Sequence, residues 1–260
     1  WESNYSIGYY IVCAMAIVML GALITGLVIY KNFWRAFTQP KLRLKQGKKT
    51  LLADLHRLAG VWSIWFLLLM SVTGLWYLCQ AILWHANVDI EPHSHLISEQ
   101  PLPLSEMDIP TPNFSLAHAF SVAEQKFPDF KGSYIMLPEH KRDTYKLFGS
   151  GDFIFYDQYS YGVIVNPWTG VVESVRQPTD MTVLQTLSHI ADPLHYGTIG
   201  GVWTKIIWFL FGTLLTGMSI TGFLMWGGRT VRAAKASQVA TPINKVNPSD
   251  TPQLTTQEVN

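Results

Sequence analysis

The chain has 260 residues, of which 48% are hydrophobic and 14% are charged, and its formal net charge at pH 7 is +1. Because the apolar residues cluster in three long runs rather than in amphipathic patterns, the composition excludes an ordinary soluble protein. The near-neutral charge gives no indication of a nucleic-acid partner.

The three apolar runs each have the roughly 20 residues that cross a hydrocarbon core about 30 Å thick. We predict transmembrane helices over residues 7–30, 51–85 and 201–227. Within the apolar runs themselves, residues 9–30, 58–84 and roughly 202–226, the only charge is Lys205, which lies close enough to one end for its ammonium group to reach the membrane surface. The predicted fold class is therefore membrane α-helical, with three transmembrane helices.

The loops predict the orientation of these helices. Residues 31–50 carry several Lys and Arg and no Asp or Glu, and further basic residues follow the third run. The positive-inside rule makes 31–50 a basic cytoplasmic loop in contact with membrane lipid, and 228–260 a disordered cytoplasmic tail. The N-terminus and residues 86–200 are then predicted to lie outside.

The outer segment is predicted to contain a small α+β domain. Residues 86–112 form a proline-rich linker, and the domain at 113–180 begins with a helix that Ser115 caps and Pro128 ends. The stretches "GSYIMLPE", "DTYKLFGS" and "YGVIVNPWTGVVESV" are typical of antiparallel strands, with a turn at "NPWTG". Residues 181–200 connect this domain to the third helix.

A Thr-Gly pair recurs near the same place in each apolar run. The three pairs are Thr25-Gly26, Thr73-Gly74 and Thr221-Gly222. Small residues let transmembrane helices approach closely, so we interpret the repeat as helix packing rather than as a chemical feature.

Several stretches resemble the PepSY-associated transmembrane (PepSY-TM) family. They are "ALITGLVIYKNFWRAF", "LADLHRLAGVW" with "SVTGL", "DPLHYGTIGGVW" with "SITGFLMWGGR", and the domain's "GVIVNPWTGVVESV", and the resemblance covers most of residues 7–232. It implies a PepSY-like periplasmic domain and a place in the bacterial inner membrane, with the N-terminus periplasmic and the C-terminus cytoplasmic. Family members include reductases of iron and ferric siderophores, in which histidines hold b-type haem.

Four histidines lie at the predicted membrane boundaries, and neutral imidazole is the usual axial ligand of haem b. His85 together with His195 or His189 predicts an outer haem site, because all three lie at similar depth on neighbouring elements. The alternative is that these histidines are ordinary polar residues of the interface.

An inner haem site would use His56, whose "DLHR" stretch supports ligation through the resemblance. Asp54 is a candidate acceptor that orients the imidazole, and Arg57 a candidate partner of a haem propionate. Family members often carry a histidine where this chain has Tyr30. The inner site therefore needs a second copy of His56 in a homodimer, needs Tyr30 as ligand, or does not exist, so one or two haems are expected.

The resemblance implies electron transfer from a separate cytoplasmic or quinol donor to ferric iron or a ferric siderophore in the periplasm. The predicted cytoplasmic parts hold no dinucleotide fingerprint, and we interpret His93 and His95 as a solvated loop rather than a metal site. The alternative function is non-enzymatic: a membrane-anchored accessory or binding subunit of a larger membrane complex, with the PepSY-like domain contacting other proteins. Whether the chain is an enzyme stays open.

Overall fold

The computed structural model describes residues 6–30, 33–39, 41–91, 112–139 and 143–239. Six α-helices and four strands lie in these ranges. The helices are α1 (Ile7–Ile29), α2 (Phe33–Thr38), α3 (Lys48–His85), α4 (Leu116–Lys126), α5 (Val183–Tyr196) and α6 (Gly201–Val239), and the strands are β1 (Lys131–Met136), β2 (Tyr145–Ser150), β3 (Tyr161–Val165) and β4 (Val172–Arg176).

Three described helices, α1, α3 and α6, are long and apolar enough to cross a membrane, which confirms a membrane protein with three transmembrane helices. Two of them extend further than predicted. Helix α3 begins at Lys48, and α6 continues to Val239 because the sequence after Trp226 is rich in helix-forming residues and lacks proline. The first part of the predicted disordered tail is therefore helical, while residues 240–260 lie outside the described ranges.

Helix α3 is the central helix, since it packs against α1, α6, α5 and α2. Two glycines allow close approach. A Cβ on Gly74 would come to 2.9 Å from the Ala16 Cβ of α1, and a Cβ on Gly60 would come to 3.2 Å from Met218 of α6. These contacts agree with the packing role predicted for small residues in the spans.

The soluble domain between α3 and α5 is a four-stranded antiparallel sheet of order β1-β2-β3-β4, with α4 packed against it. The predicted helix start is confirmed, since Ser115 accepts a hydrogen bond from the His118 amide. The predicted turn is also present: Gly170 has φ +70°, and a Cβ there would lie 2.8 Å from Phe114. The buried core consists of Ala119, Ala123, Phe127, Phe130, Tyr145, Leu147, Val163 and Val165.

Helix α5 occupies the segment that was predicted only as a connection. A capping box begins it, in which Thr182 and Gln185 satisfy each other's backbone amides, and Gly197 in the left-handed conformation ends it. Pro193 lies inside the helix. Proline has no N–H, so the carbonyl of His189 one turn earlier lacks its helical donor. The amide of Asp157 from the soluble domain donates to that carbonyl at 2.9 Å and restores the bond.

Candidate functional site

Helices α3 and α5 are joined by a ladder of three side-chain hydrogen bonds. On α3 the residues follow i, i+4, i+7 spacing, which places them on one face of the helix. The pairs are Thr73 with His195 (2.7 Å), Tyr77 with Asp192 (2.8 Å) and Gln80 with Ser188 (2.7 Å). The ladder fixes His195 against the central transmembrane helix.

The bond between His195 and Thr73 determines which ring nitrogen carries the proton. Thr73 donates its hydroxyl to the Leu69 carbonyl at 2.8 Å, so its oxygen can only accept at Nδ1 of His195. Nδ1 therefore bears the hydrogen and Nε2 keeps its lone pair. Burial lowers the pKa of His195, which favours this neutral form. Among described residues Nε2 has no hydrogen-bond partner, so this nitrogen remains open to a further partner.

His56 has the same arrangement at the other end of α3. Thr221 donates to the Met218 carbonyl at 3.0 Å, and its oxygen lies 2.8 Å from Nδ1 of His56. A Cβ on Gly222 would come to 3.4 Å from Cε1 of the imidazole, which is ordinary van der Waals contact, so the ring lies close to the α6 backbone at this position. The ring of His56 therefore lies against both members of the pair Thr221-Gly222. Among described residues, its Nε2 has no hydrogen-bond partner.

The two histidine–threonine pairs are separate sites. Thr73 and His56 are 17 positions apart on α3, which at 1.5 Å per residue is about 25 Å along the helix axis. One pair lies on the soluble-domain side of the membrane region and the other on the side of the loop 31–50.

His85 is anchored elsewhere. Its Nδ1 lies 2.5 Å from the hydroxyl of Tyr10 and 3.0 Å from the Ala81 carbonyl, where the ring contacts α1. Ala81 is eight positions from Thr73 on α3, or about 12 Å along the axis. No contact joins His85 to His195 in the described structure, so the predicted outer pair is not brought together.

His189 differs from the other boundary histidines because both of its ring nitrogens are occupied. Nδ1 lies 2.7 Å from Asp157 and Nε2 lies 3.1 Å from Glu91, which is also paired with Arg176. Burial lowers the pKa of His189, but the hydrogen bonds and charges of the two carboxylates outweigh it and raise the pKa to about 9. Both ring nitrogens of His189 therefore face carboxylates, and this arrangement argues against His189 as an axial ligand.

Asp54 does not orient His56, contrary to the prediction. Its carboxylate accepts two bonds from the guanidinium of Arg43, at 2.7 and 2.9 Å, and one from the Arg43 amide. Arg57 lies 3.7 Å from Asp54 and 5.9 Å from the ring centre of Tyr30. These four residues therefore tie the loop 41–47 and the end of α1 to the start of α3. Tyr30 contacts Arg57, and no contact with His56 is present.

A family model described as PepSY-associated TM region matches residues 2–229. The chain belongs to this family. It has no match among curated proteins. Family membership covers the three transmembrane helices and the soluble domain, and it includes both histidine–threonine pairs.

Two further features lie one helical turn from the threonines of the two pairs. A Cβ on Gly217, one turn from Thr221, would meet nothing within 4 Å. Near His195, the buried Nε1 of Trp76, one turn from Thr73, has no hydrogen-bond partner among described residues. The unsatisfied Nε1 of Trp76 is a buried donor that a bound ligand could satisfy.

Sequence reasoning found the histidines of the two pairs but not their partners. The signal was present, because Thr73 and Thr221 belong to the Thr-Gly repeat that was interpreted as packing alone. The third threonine, Thr25, bonds only carbonyls of its own helix. Described groups of three or more His, Cys, Asp or Glu that could hold a metal ion were not found, and His93 and His95 lie outside the described ranges.

Proposed function

We propose that this chain is a haem b protein of the bacterial inner membrane that passes electrons across the bilayer to ferric iron or a ferric siderophore on the periplasmic side. The observation that carries the proposal is the hydrogen bonding of two imidazoles, those of His195 and His56. Each donates Nδ1–H to a threonine whose own proton is already used, which leaves Nε2 available to iron. When bound, haem b takes up and releases single electrons.

The separation of the two pairs supports a path across the membrane. They lie about 25 Å apart along α3, and one macrocycle cannot bridge a core about 30 Å thick. In this proposal His56 and Thr221 hold the inner haem, and His195 and Thr73 hold the outer one. The basic loop 31–50 supports a cytoplasmic position for the inner side, where a separate protein or a quinol would supply electrons.

A second copy of the chain would supply the remaining axial ligands. Within the described residues no two of the candidate histidines meet, and His56 has no other histidine on its side of the membrane. In a homodimer, each imidazole can face its symmetry mate across the axis. Arg57, half-exposed beside His56, is the candidate partner of a propionate.

The outer domain is proposed to be of the PepSY type. Its α4 helix, which ends before Pro128, and its closing hairpin at β3 and β4 agree with the features that suggested the resemblance. Placed on the periplasmic side, this domain lies where the ferric acceptor would be reduced.

Threonine substitutions test the role of the anchored imidazoles. Thr73→Val and Thr221→Val keep the side-chain shape but remove the acceptor at Nδ1, so each should weaken retention of one haem by roughly 10–100-fold. The matched control is Thr25→Val, the third member of the repeat, which has no histidine partner. The readout is haem content and midpoint potential of the protein purified after expression with haem supplied. Equal haem content in all three variants would contradict the proposal.

The second candidate function is that of an accessory subunit in a larger membrane complex. Helix α6 favours it, because this helix packs against α3 and leaves large apolar side chains exposed along its length, such as Phe209 and Phe223. A surface of this kind contacts lipid or another subunit. Haem-free protein that co-purifies in a fixed ratio with another membrane protein would favour this function over the first.

A further inference from the structure

An exposed aromatic loop projects from the soluble domain between β2 and β3. Phe153, Ile154 and Phe155 are consecutive and are 54%, 58% and 40% exposed. Phe153 contacts the rings of Phe155 and Tyr156, so these three aromatic side chains form one cluster, and Ile154 lies between two of them in the sequence. Three consecutive exposed apolar residues are unusual on a soluble surface unless they bind something.

The position of this loop along the membrane helices follows from a chain of contacts. Asp157, two residues after Phe155, bonds both the carbonyl and the Nδ1 of His189 on α5. The neighbouring Ser188 bonds Gln80 of α3 at 2.7 Å. Gln80 lies five residues before the end of α3, which is about 7 Å along the helix axis.

The apolar surface of α3 extends at least as far as this level. Ile82, two residues beyond Gln80, is 54% exposed and has the apolar character of a lipid-facing residue. A chain spans at most about 3.6 Å per residue. Phe155 and Phe153 are two and four residues from Asp157, so they lie within roughly 7 and 14 Å of that residue, whose bonds to α5 place it near the outer end of α3.

We propose that Phe153, Ile154 and Phe155 insert into the interfacial region of the same bilayer that α1, α3 and α6 cross. Aromatic side chains are favoured at this depth because their rings suit the boundary between headgroups and acyl chains. The loop carries Asp152 and Asp157 at its ends and no Lys or Arg between them, so the contact is apolar and independent of anionic lipid. Together with the bonds at His189, it would hold the soluble domain in a fixed position above the bilayer. This inference does not rest on haem binding.

Site-directed spin labelling tests the proposal. The full-length protein is reconstituted into phosphatidylcholine vesicles with Cys13→Ala and Cys79→Ala, and a nitroxide is attached at Ile154→Cys. The matched control is Leu137→Cys, since Leu137 is 57% exposed, is apolar and belongs to the same domain. It lies beyond β1 at the opposite end of β2 from the loop, about 20 Å away by strand length.

The measurement compares how often the nitroxide collides with oxygen, which concentrates in lipid, and with a nickel chelate, which stays in water. We expect the label at Ile154→Cys to favour oxygen at least several-fold more than the label at Leu137→Cys, at both low and high salt. Equal accessibility of the two labels to the nickel chelate would overturn the proposal. Low accessibility to both reagents with dipolar broadening between labels would also overturn it, because the loop would then be covered by a second copy of the chain.

Discussion

His189 connects the soluble domain to α5 through a charge, and this connection makes a quantitative prediction about pH. The groups that face its ring are Asp157 from the β2–β3 loop and Glu91 after α3, with Arg176 of β4 behind Glu91. Asp192 on α5 also senses the charge of His189. Burial opposes protonation of His189, but the two carboxylates prevail and raise its pKa from 6.5 to about 9.

The sign of the effect follows from this upward shift. A group whose pKa is higher in the folded protein stabilises fully below its unfolded pKa and loses that contribution as pH rises through the folded pKa. For His189 the loss begins near pH 6.5 and is complete above about pH 9. At about 1.4 kcal/mol per pKa unit, the shift corresponds to about 3 kcal/mol of unfolding free energy. The hydrogen bonds and charges of His189 and Arg176 lower the pKa of Glu91 against its burial, so the stability that Glu91 contributes is complete above its unfolded pKa and is lost only at acidic pH, outside the range of this test.

Calorimetry of the protein in detergent micelles measures this loss. For a folding unit of 60–100 residues, 1 kcal/mol shifts the midpoint by about 4–8 °C, so we expect the soluble-domain transition to fall by roughly 12–24 °C between pH 6.5 and pH 9.5. The control is His189→Gln, which cannot carry the charge and should show a nearly flat midpoint over this range. The reasoning is refuted if the wild-type protein and His189→Gln lose stability in parallel.

Two further predictions concern the membrane helices. Asp54→Asn should release the basic loop from α3 and speed trypsin cleavage within residues 41–49, since the amide cannot accept both guanidinium bonds of Arg43. The haem content of this variant should equal that of the wild-type protein. A loss of haem would contradict the separation of Asp54 from the site of His56. Gly74→Val should lower the unfolding free energy by roughly 1–3 kcal/mol, because a Cβ at this position would lie 2.9 Å from the Cβ of Ala16. The control is Gly21→Ala, whose Cβ would meet nothing within 4 Å. Equal thermal stability of the two variants would contradict the packing argument.

The transmembrane helices were predictable because a long apolar run has few alternative folds. Helix α5 was not predicted, although its capping box is readable in the sequence. Its apolar residues cover one face only, and Pro193 resembles a helix breaker. The proline is tolerated because the Asp157 amide, distant in sequence, bonds the carbonyl that Pro193 leaves without a donor. Such compensation by a remote residue cannot be deduced from local pattern.

For the histidines too, the local sequence predicted position, whereas the bonding partners come from distant parts of the chain. Sequence position predicted which imidazoles lie at the membrane boundary, but their roles depend on partners far along the chain. Thr221 is 165 residues from His56, and Thr73 is 122 residues from His195. Asp157 and Glu91, which occupy His189, are 32 and 98 residues away from it. Depth alone grouped His189 with His195, and only the bonding partners distinguish a histidine held between two carboxylates from a histidine that bonds a threonine.

The dithionite-reduced minus oxidised absorption spectrum of the purified protein tests the central proposal most directly. Expressed with haem supplied, the wild-type protein should show the Soret and α bands of low-spin haem b. His195→Ala and His56→Ala should each remove part of the signal, whereas His189→Gln should retain all of it. A wild-type spectrum without these bands, or one unchanged by both His195→Ala and His56→Ala, would contradict haem ligation by the two threonine-anchored imidazoles.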